Sequence, residues 1–565
     1  MTVSVARYGA LFLAALLATA PAPAHAQSDE SATERLLQIL VKNGVVTKDQ
    51  AESLGKQARA EARATKATAP AGVPPPAGGT TAKEKPVAPG AVRVTYVPET
   101  VRKQIAAEVK QQVMQQATEE GWAEPNSIAG WTQRIRISGD VRMRGQFDMF
   151  PSGNYNAFPD FNTINSSTNG YDTTSGINPP LLNTTENRTR ARLRARLEVD
   201  AQVTDWADAV VRIATGNDRS PAGFNQTLGN TGDFSKYSIW LDQAAMILRP
   251  DKSLTLYAGR FANPFWTTNL VYDDDVSFDG VAFNAHAPVT RDFGGFLIAG
   301  GFPLYNTDFN YGATNLVKTP SHDSYLLAAQ TGVDWKPDDR PYSARLAMGY
   351  FNYQNVDGQT STLCVAPTSF GSCNTDNTRA PFVQFGNTLF PVRNIYAANG
   401  VTTAQPQYYG LASRFGVLDV HGQFTYKGFH PIDIVPEFEF INNLSFNQNV
   451  IGQHGPVNNI GVNNAFVGSG TGYLLRIGIG HPILEAANDW NVGFTYKYIG
   501  SDAALDALED TKFHLGGTNA KGWVVNGNYA LGKNIWVSGS YYSTTAVSGP
   551  PYAVDTVMID LNVKF

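Results

Sequence analysis

The stretch "DTVMIDLNVKF", residues 555–565, decides the fold. It sets Val557, Ile559, Leu561, Val563 and Phe565 at every second position, with Met558, Asp560, Asn562 and Lys564 between them. Side chains of an extended strand point alternately to opposite faces, so this spacing predicts a strand with one apolar side and one mostly polar side. The same period starts near Trp131. There "QRIRISGDVRMRGQF" alternates Arg134, Arg136, Ser138, Asp140, Arg142, Arg144 and Gln146 with Ile135, Ile137, Gly139, Val141, Met143, Gly145 and Phe147. After 131–148 the pattern recurs at 186–204, 207–217, 236–249, 253–261, 276–288, 292–303, 322–335 and 342–355. It continues at 406–427, 431–444, 470–483, 488–500, 520–530, 534–544 and 552–565, which makes about sixteen strands, to within about two. Some junctions are tight, such as "RPDKS" (249–253) and "KPDDRP" (336–341), and others are long and polar, such as 149–185 and 356–405.

A β-sandwich and a membrane barrel both fit period two, and the chain end separates them. A last strand that finishes on an aromatic residue resembles the assembly signal of bacterial outer-membrane proteins. That resemblance implies Phe565 as the signal, the outer-membrane barrel assembly machinery as a partner and outer-membrane lipid as the surroundings. Unpaired backbone groups cannot be left in hydrocarbon, so a spanning sheet has to close on itself without edges. Short turns alternating with long loops are the layout of such barrels. The expectation is an all-β transmembrane β-barrel of about sixteen antiparallel strands over 131–565, wide enough to hold a lumen that about eight strands would leave filled.

The chain start agrees with export. Arg7, the apolar "GALFLAALLATA" and the small residues Ala24 and Ala26 read as a signal peptide over 1–26, too short for a spanning helix. Residues 27–63 carry helical spacing at Leu36, Leu37, Leu40 and Val41, with Thr47 and Gln50 spaced as a capping box, and predict a periplasmic helical hairpin. The Ala, Pro and Gly of 64–96 predict a disordered linker. Residues 97–120 predict a helix with Val101, Ile105, Val109 and Val113 on one face; it serves either a coiled coil, hence a homo-oligomer such as a trimer, or packing on its own chain. Cys364 and Cys373 suit an exported disulfide better than a metal site, since no further thiolate or histidine lies near them. A net charge of −5 over 565 residues argues against nucleic acid as a partner.

Chemistry concentrates on two strands. "ENRTRARLRARLEVDAQV" (186–203) holds Arg188, Arg190, Arg192, Arg194 and Arg196 on one face and Leu193, Leu197 and Val199 on the other. With Arg134, Arg136, Arg142 and Arg144 this gives a ladder of nine arginines. An arginine facing lipid near the midplane costs about 2 to 4 kcal/mol, so the alternation assigns the arginines to the water-filled side. Rings of Arg favour anions, and low-dielectric walls focus their field. The acid-rich "YDDDVSFD" (272–279) then offers Asp273, Asp274, Asp275 and Asp279, with Arg260 before it, as a constriction facing the ladder.

"LYAGRFANPFWTTNLVYDDDVSFDGVAF" (256–283) resembles a G-R-x-x-N-P-F-W stretch, then D-x-D and a "DG" turn, found in a family of putative bacterial porins. Gly259, Arg260, Asn263, Pro264, Phe265, Trp266, Asp273, Asp275 and Gly280 carry the match, and "LLQILVKNGVVT" (36–47) matches the family's helical segment. The resemblance implies an outer-membrane diffusion channel, often oligomeric, with its N-terminal segment in the periplasm. It supplies no catalytic residues. The seven histidines beyond the expected signal peptide, at 286, 322, 421, 430, 454, 481 and 514, have no spacing that builds a triad or a zinc site, and no cofactor is expected. The expected function is therefore passive diffusion of small hydrophilic solutes along an Arg-lined wall, and the protein is not expected to be an enzyme. The alternatives are a specific channel for anions such as phosphate or for sugars, and a barrel acting through its loops as an adhesin or enzyme.

Overall fold

The structure is a computed structural model that describes residues 134–173, 178–311, 320–365, 373–396, 405–461 and 463–565. The signal peptide, helical hairpin, linker and 97–120 helix expected from the sequence lie outside the described residues. Sixteen long strands run around one sheet. They are β1 (Ile135–Met149), β2 (Arg188–Thr204), β3 (Ala207–Thr215), β4 (Ile239–Asp251), β5 (Leu254–Ala262), β6 (Ser277–Pro288), β7 (Phe293–Tyr305) and β8 (Ser324–Trp335). The circuit continues with β9 (Tyr342–Gln354), β10 (Phe415–Phe429), β11 (Ile432–Asn443), β12 (Thr471–Gly480), β13 (Trp490–Ile499), β14 (Ala520–Gly532), β15 (Ile535–Ala546) and β16 (Ala553–Lys564). Each pairs antiparallel with its neighbours, and β16 closes onto β1 from Asp140↔Lys564 to Met149↔Asp555. Closure satisfies the backbone of both terminal strands, which is what a sheet in hydrocarbon requires.

Every strand expected from the sequence is present. The largest boundary difference is at 406–427, where the period-two segment becomes a strand only from Phe415. Before it, Pro406–Gln407 pairs with Tyr171–Asp172, and Tyr409–Leu411 pairs with Leu389–Pro391. The alternation of 406–414 thus serves small sheets between loops, whose pairing demands the same period as a wall strand.

One end of the barrel has tight turns at 205–206, 252–253, 430–431 and 533–534, and the other has long loops at 150–187, 216–238, 263–276, 355–414, 444–470 and 500–519. The outer face is apolar: Val141, Met143, Leu197, Leu297, Met348, Leu475 and Phe494 are all exposed on it. Aromatic rings band its short-turn rim, with Phe293, Trp335, Tyr342 and Phe424 in consecutive contact at centroid distances of 6.2, 5.3 and 6.2 Å. A second group, Tyr473 with Tyr498 and Trp523 with Tyr541, sits toward the long-loop end. Two aromatic belts around an apolar band are the signature of a wall that spans a bilayer.

The core lies inside the barrel. Ile164, Phe265, Leu270, Tyr272, Leu389, Tyr409, Leu508 and Phe513, all from the long loops, pack with wall residues such as Leu326, Phe351 and Ile441. Phe351 takes the rings of Phe265 and Tyr272 edge-on at 5.2 and 5.4 Å, an arrangement that aromatic quadrupoles favour. The long loops therefore fold inward, and their packing fills part of the barrel interior.

Candidate functional site

The arginine ladder stands on β1 and β2. Their register sets Arg142 opposite Arg194, Arg144 opposite Arg192, Gln146 opposite Arg190 and Asp140 opposite Arg196. Alternation sends these side chains inward and Val141, Met143 and Leu197 outward.

Most of the ladder is paired at close range. Arg144 holds both oxygens of Asp560 at 2.7 Å, and Arg190 reaches Asp148 at 2.5 Å. Arg194 and Arg196 share Asp140 through contacts of 2.8 and 2.6 Å, and Arg136 pairs with Asp200 at the short-turn end. Two guanidiniums differ. Arg142 donates to Asn225 Oδ1 at 2.6 Å, while Arg192 donates to Gln146 Oε1 at 3.1 Å and to the Asn225 carbonyl at 3.2 Å. Both therefore meet neutral oxygens only. Arg188 is exposed near the long-loop end, and Arg134 is exposed at the start of the described wall.

The 263–276 loop turns inward between β5 and β6. Gly259 and Gly280 face each other in that pair with φ of 112° and 140°, and a Cβ on either would meet backbone oxygen at 2.4 or 2.3 Å. Only glycine allows this bend. Gly280 thus sits within β6, and the Asp279–Gly280 pair expected to make a turn forms a kink instead.

The loop is held by the far wall. Trp266 N–H donates to Gln330 Oε1, and Gln330 Nε2 donates back to the Trp266 carbonyl, both at 2.8 Å. The Trp266 ring stacks on His421 at 3.6 Å, while Arg345 lies 4.6 Å above that ring. Thr268 gives its N–H, at 3.0 Å, and its hydroxyl to the two oxygens of buried Glu439. Farther on, the Asn269 carbonyl accepts from Lys497, and Asp273 accepts from Thr511 N–H at 2.9 Å. Asp275 ends the crossing, 3.3 Å from Arg194 and 3.2 Å from Arg196.

This geometry corrects the expected constriction. Asp275 touches the ladder rather than facing it across open water, and Asp274 turns toward Lys512 at 3.4 Å. Arg260 and Asp279 pair with each other at 2.7 Å on the strand face shared with exposed Val281, opposite the face of buried Phe261 and Phe278. They lie away from the lumen because strand alternation sends residues 260 and 279 outward. On the same outward face, Lys521 and Asp555 likewise sit within two residues of the long-loop end of their strands.

The 500–519 loop completes the crossing. Burial pushes Asp506 up to about 7, Glu509 to about 8 and Asp502 to about 6. Glu509 pairs with Lys497 at 3.1 Å, while Asp506 has no partner for either carboxyl oxygen among the described residues. Burial also lifts Asp273 to about 6. Burial works against Lys512, yet Asp510, Asp274 and Asp273 hold it well above its ordinary value. Gln384 and Asn387 of the 355–414 loop donate to the carbonyls of Asp506, Glu509, Ser501 and Ala504.

Sequence reasoning missed Asn225, Gln330, His421, Glu439, Lys497 and the acids of 500–519. For Glu437 and Glu439 a signal existed, since both fall on the polar face of the 431–444 pattern. Cys364 and Cys373 are joined as a disulfide, with Cα atoms 5.9 Å apart. The Phe565 backbone exchanges two 3.0 Å hydrogen bonds with Gly139. Among the described residues, no group of three or more His, Cys, Asp or Glu side chains is placed to hold a metal ion.

A family model described as "Putative porin" matches residues 30–565. Among solved structures, the outer-membrane channel DcaP of Acinetobacter baumannii is similar at a TM-score of 0.35 and 11% identity, over 76% of this chain and 97% of that one. OprB of Pseudomonas putida, at high pH, is similar at 0.40 and 10% identity, over 77% and 95%. An anion-selective porin from Comamonas acidovorans is similar at 0.34 and 9%, over 76% and 99%. No curated protein matches the sequence.

Proposed function

The chain belongs to the putative-porin family, and from that premise we propose that it lets small hydrophilic solutes diffuse across the outer membrane along an Arg-lined wall that favours anions. Its role is that of a porin, a channel and not an enzyme, resident in the outer membrane. The observation that carries the anion preference is the contrast within the ladder: Arg142 and Arg192 are held by neutral oxygens, so their charge is not cancelled at contact. In a lumen with low-dielectric walls such charge acts over several ångströms. Asp273, Asp274 and Asp275 would narrow the path, with Asp275 lowering the field at Arg194 and Arg196.

The short-turn end is assigned to the periplasm and the long-loop end to the outside, following the layout of such barrels. A periplasmic N-terminal helical segment, assembly through Phe565 and a trimer are part of the same proposal. A second reading, a channel specific for one solute class, draws on the loops: those at 150–187, 355–414 and 444–470 enclose a cavity of about 260 Å³ lined by Tyr155, Phe158, Phe385, Asn387 and Asn458.

Reconstitution of the full chain into planar bilayers tests the proposal. Stepwise conductance events are expected; an inserted, folded protein that passes no current sinks it.

A further inference from the structure

Resting on the channel reading, we propose that Arg142 and Arg192 together form a saturable docking site for a small oxyanion, a carboxylate or a phosphate. The other ladder arginines play no part in it. Four carboxylates of the barrel wall, together with Asp275 of the 263–276 loop, occupy Arg136, Arg144, Arg190, Arg194 and Arg196. Both oxygens of Asp560 are taken by Nε and Nη2 of Arg144, and Arg192, which stands opposite Arg144, makes no contact with that carboxylate.

Asn225 gathers the two free guanidiniums. It is fixed to the wall because the next two residues, Gln226 and Thr227, pair with Leu193 and Arg192 of β2. One of its oxygens takes an N–H of Arg142 and the other takes an N–H of Arg192. Neutral acceptors orient a guanidinium without cancelling its charge. Arg142 is only 8% exposed, and Nε of both arginines is buried without a hydrogen-bond partner. Arg142 Nη1 also makes no hydrogen bond among the described residues. Arg142 is buried and Arg192 half-buried, and with no carboxylate at contact their neighbouring charges point to an anion that arrives from outside. The two oxygens of Asn225 already meet both guanidiniums, and an oxyanion offers acceptor oxygens with the charge that Asn225 lacks.

The test measures conductance of the full-length protein in planar bilayers against concentration, with sodium acetate in one series and sodium phosphate in another. Wild type is expected to saturate with at least one probe: acetate alone assigns a carboxylate site, phosphate alone a phosphate site, and both a general oxyanion site. Arg142→Gln and Arg192→Gln should each raise the half-saturating concentration at least tenfold. Arg188→Gln, the same change of net charge at an exposed position, should leave it within twofold. If Arg142→Gln fails to assemble, Arg142→Lys, which keeps charge but loses the fork, should raise it at least threefold. Linear conductance with both probes, or an equal shift from Arg188→Gln, overturns the site. A wild-type channel that prefers cations would instead sink the functional reading beneath it.

Discussion

Replacing Asp275 with Asn removes one negative charge from the crossing loop while keeping its shape. Its backbone N–H, which donates to Asp273 Oδ1 at 2.9 Å, is untouched, and the Asn carbonyl can still accept from Arg194 and Arg196. Those two arginines would then share Asp140 alone, leaving about one additional positive charge at the narrows. For an ion passing about 6 Å away in water this is worth about 0.7 kcal/mol, attractive for an anion and repulsive for a cation. Screening at about 0.1 M salt, where the Debye length is about 10 Å, reduces it to about 0.4 kcal/mol. Opposite signs for the two ions then predict a rise in the anion-to-cation permeability ratio of about fourfold at that salt and about tenfold in dilute salt. The assay is the reversal potential across a potassium chloride gradient, with gel migration of the unheated protein as the check on folding. An unchanged potential, or one shifted toward cations, would refute the assignment of Asp275 to the conduction path.

The aromatic packing under the loop makes a stability prediction: Phe351→Ala, at a fully buried position between Phe265 and Tyr272, should cost about 3 to 5 kcal/mol and lower the temperature at which the folded band is lost on gels. The acids of 500–519 make a pH prediction. Asp506 and Glu509 bind protons in the folded loop up to about 7 and 8, whereas an unfolded carboxyl releases them near about 4. Their contribution is therefore full below about pH 4 and is lost as pH rises through the folded values. Burial also raises Asp502 and Asp273, whereas Lys497 and Lys512 favour the charged carboxylates facing them and temper the loss. Hydrogen exchange of residues 500–519, corrected for intrinsic rate, should be faster at pH 9 than at pH 6; equal or stronger protection at pH 9 would contradict this.

The wall was legible in the sequence because lipid and lumen impose opposite chemistry on successive residues. Each strand from 131–148 to 552–565 therefore carries its own record of which face is wet, and the inward set of Arg142, Arg144, Arg190, Arg192, Arg194 and Arg196 follows directly. The interior was not legible. What holds Trp266 and Thr268 is Gln330, His421 and Glu439, brought in from β8, β10 and β11, and no local spacing records a contact between residues so far apart. The placement of Arg260 and Asp279 failed for a related reason. Acid-rich composition suggested one constriction, but strand alternation puts this pair on the outer side while Asp273 and Asp275 pass inward with the loop. Likewise the ladder's even spacing hid its inequality, because Asp560 and Asp275 neutralise some arginines and Asn225 spares others.

The measurement that bears most directly on the central claim is the zero-current potential of the wild-type channel, full length, across a tenfold potassium chloride gradient. A pore governed by Arg142 and Arg192 gives a potential of the sign set by chloride. A potential of the opposite sign, set by potassium, would contradict it.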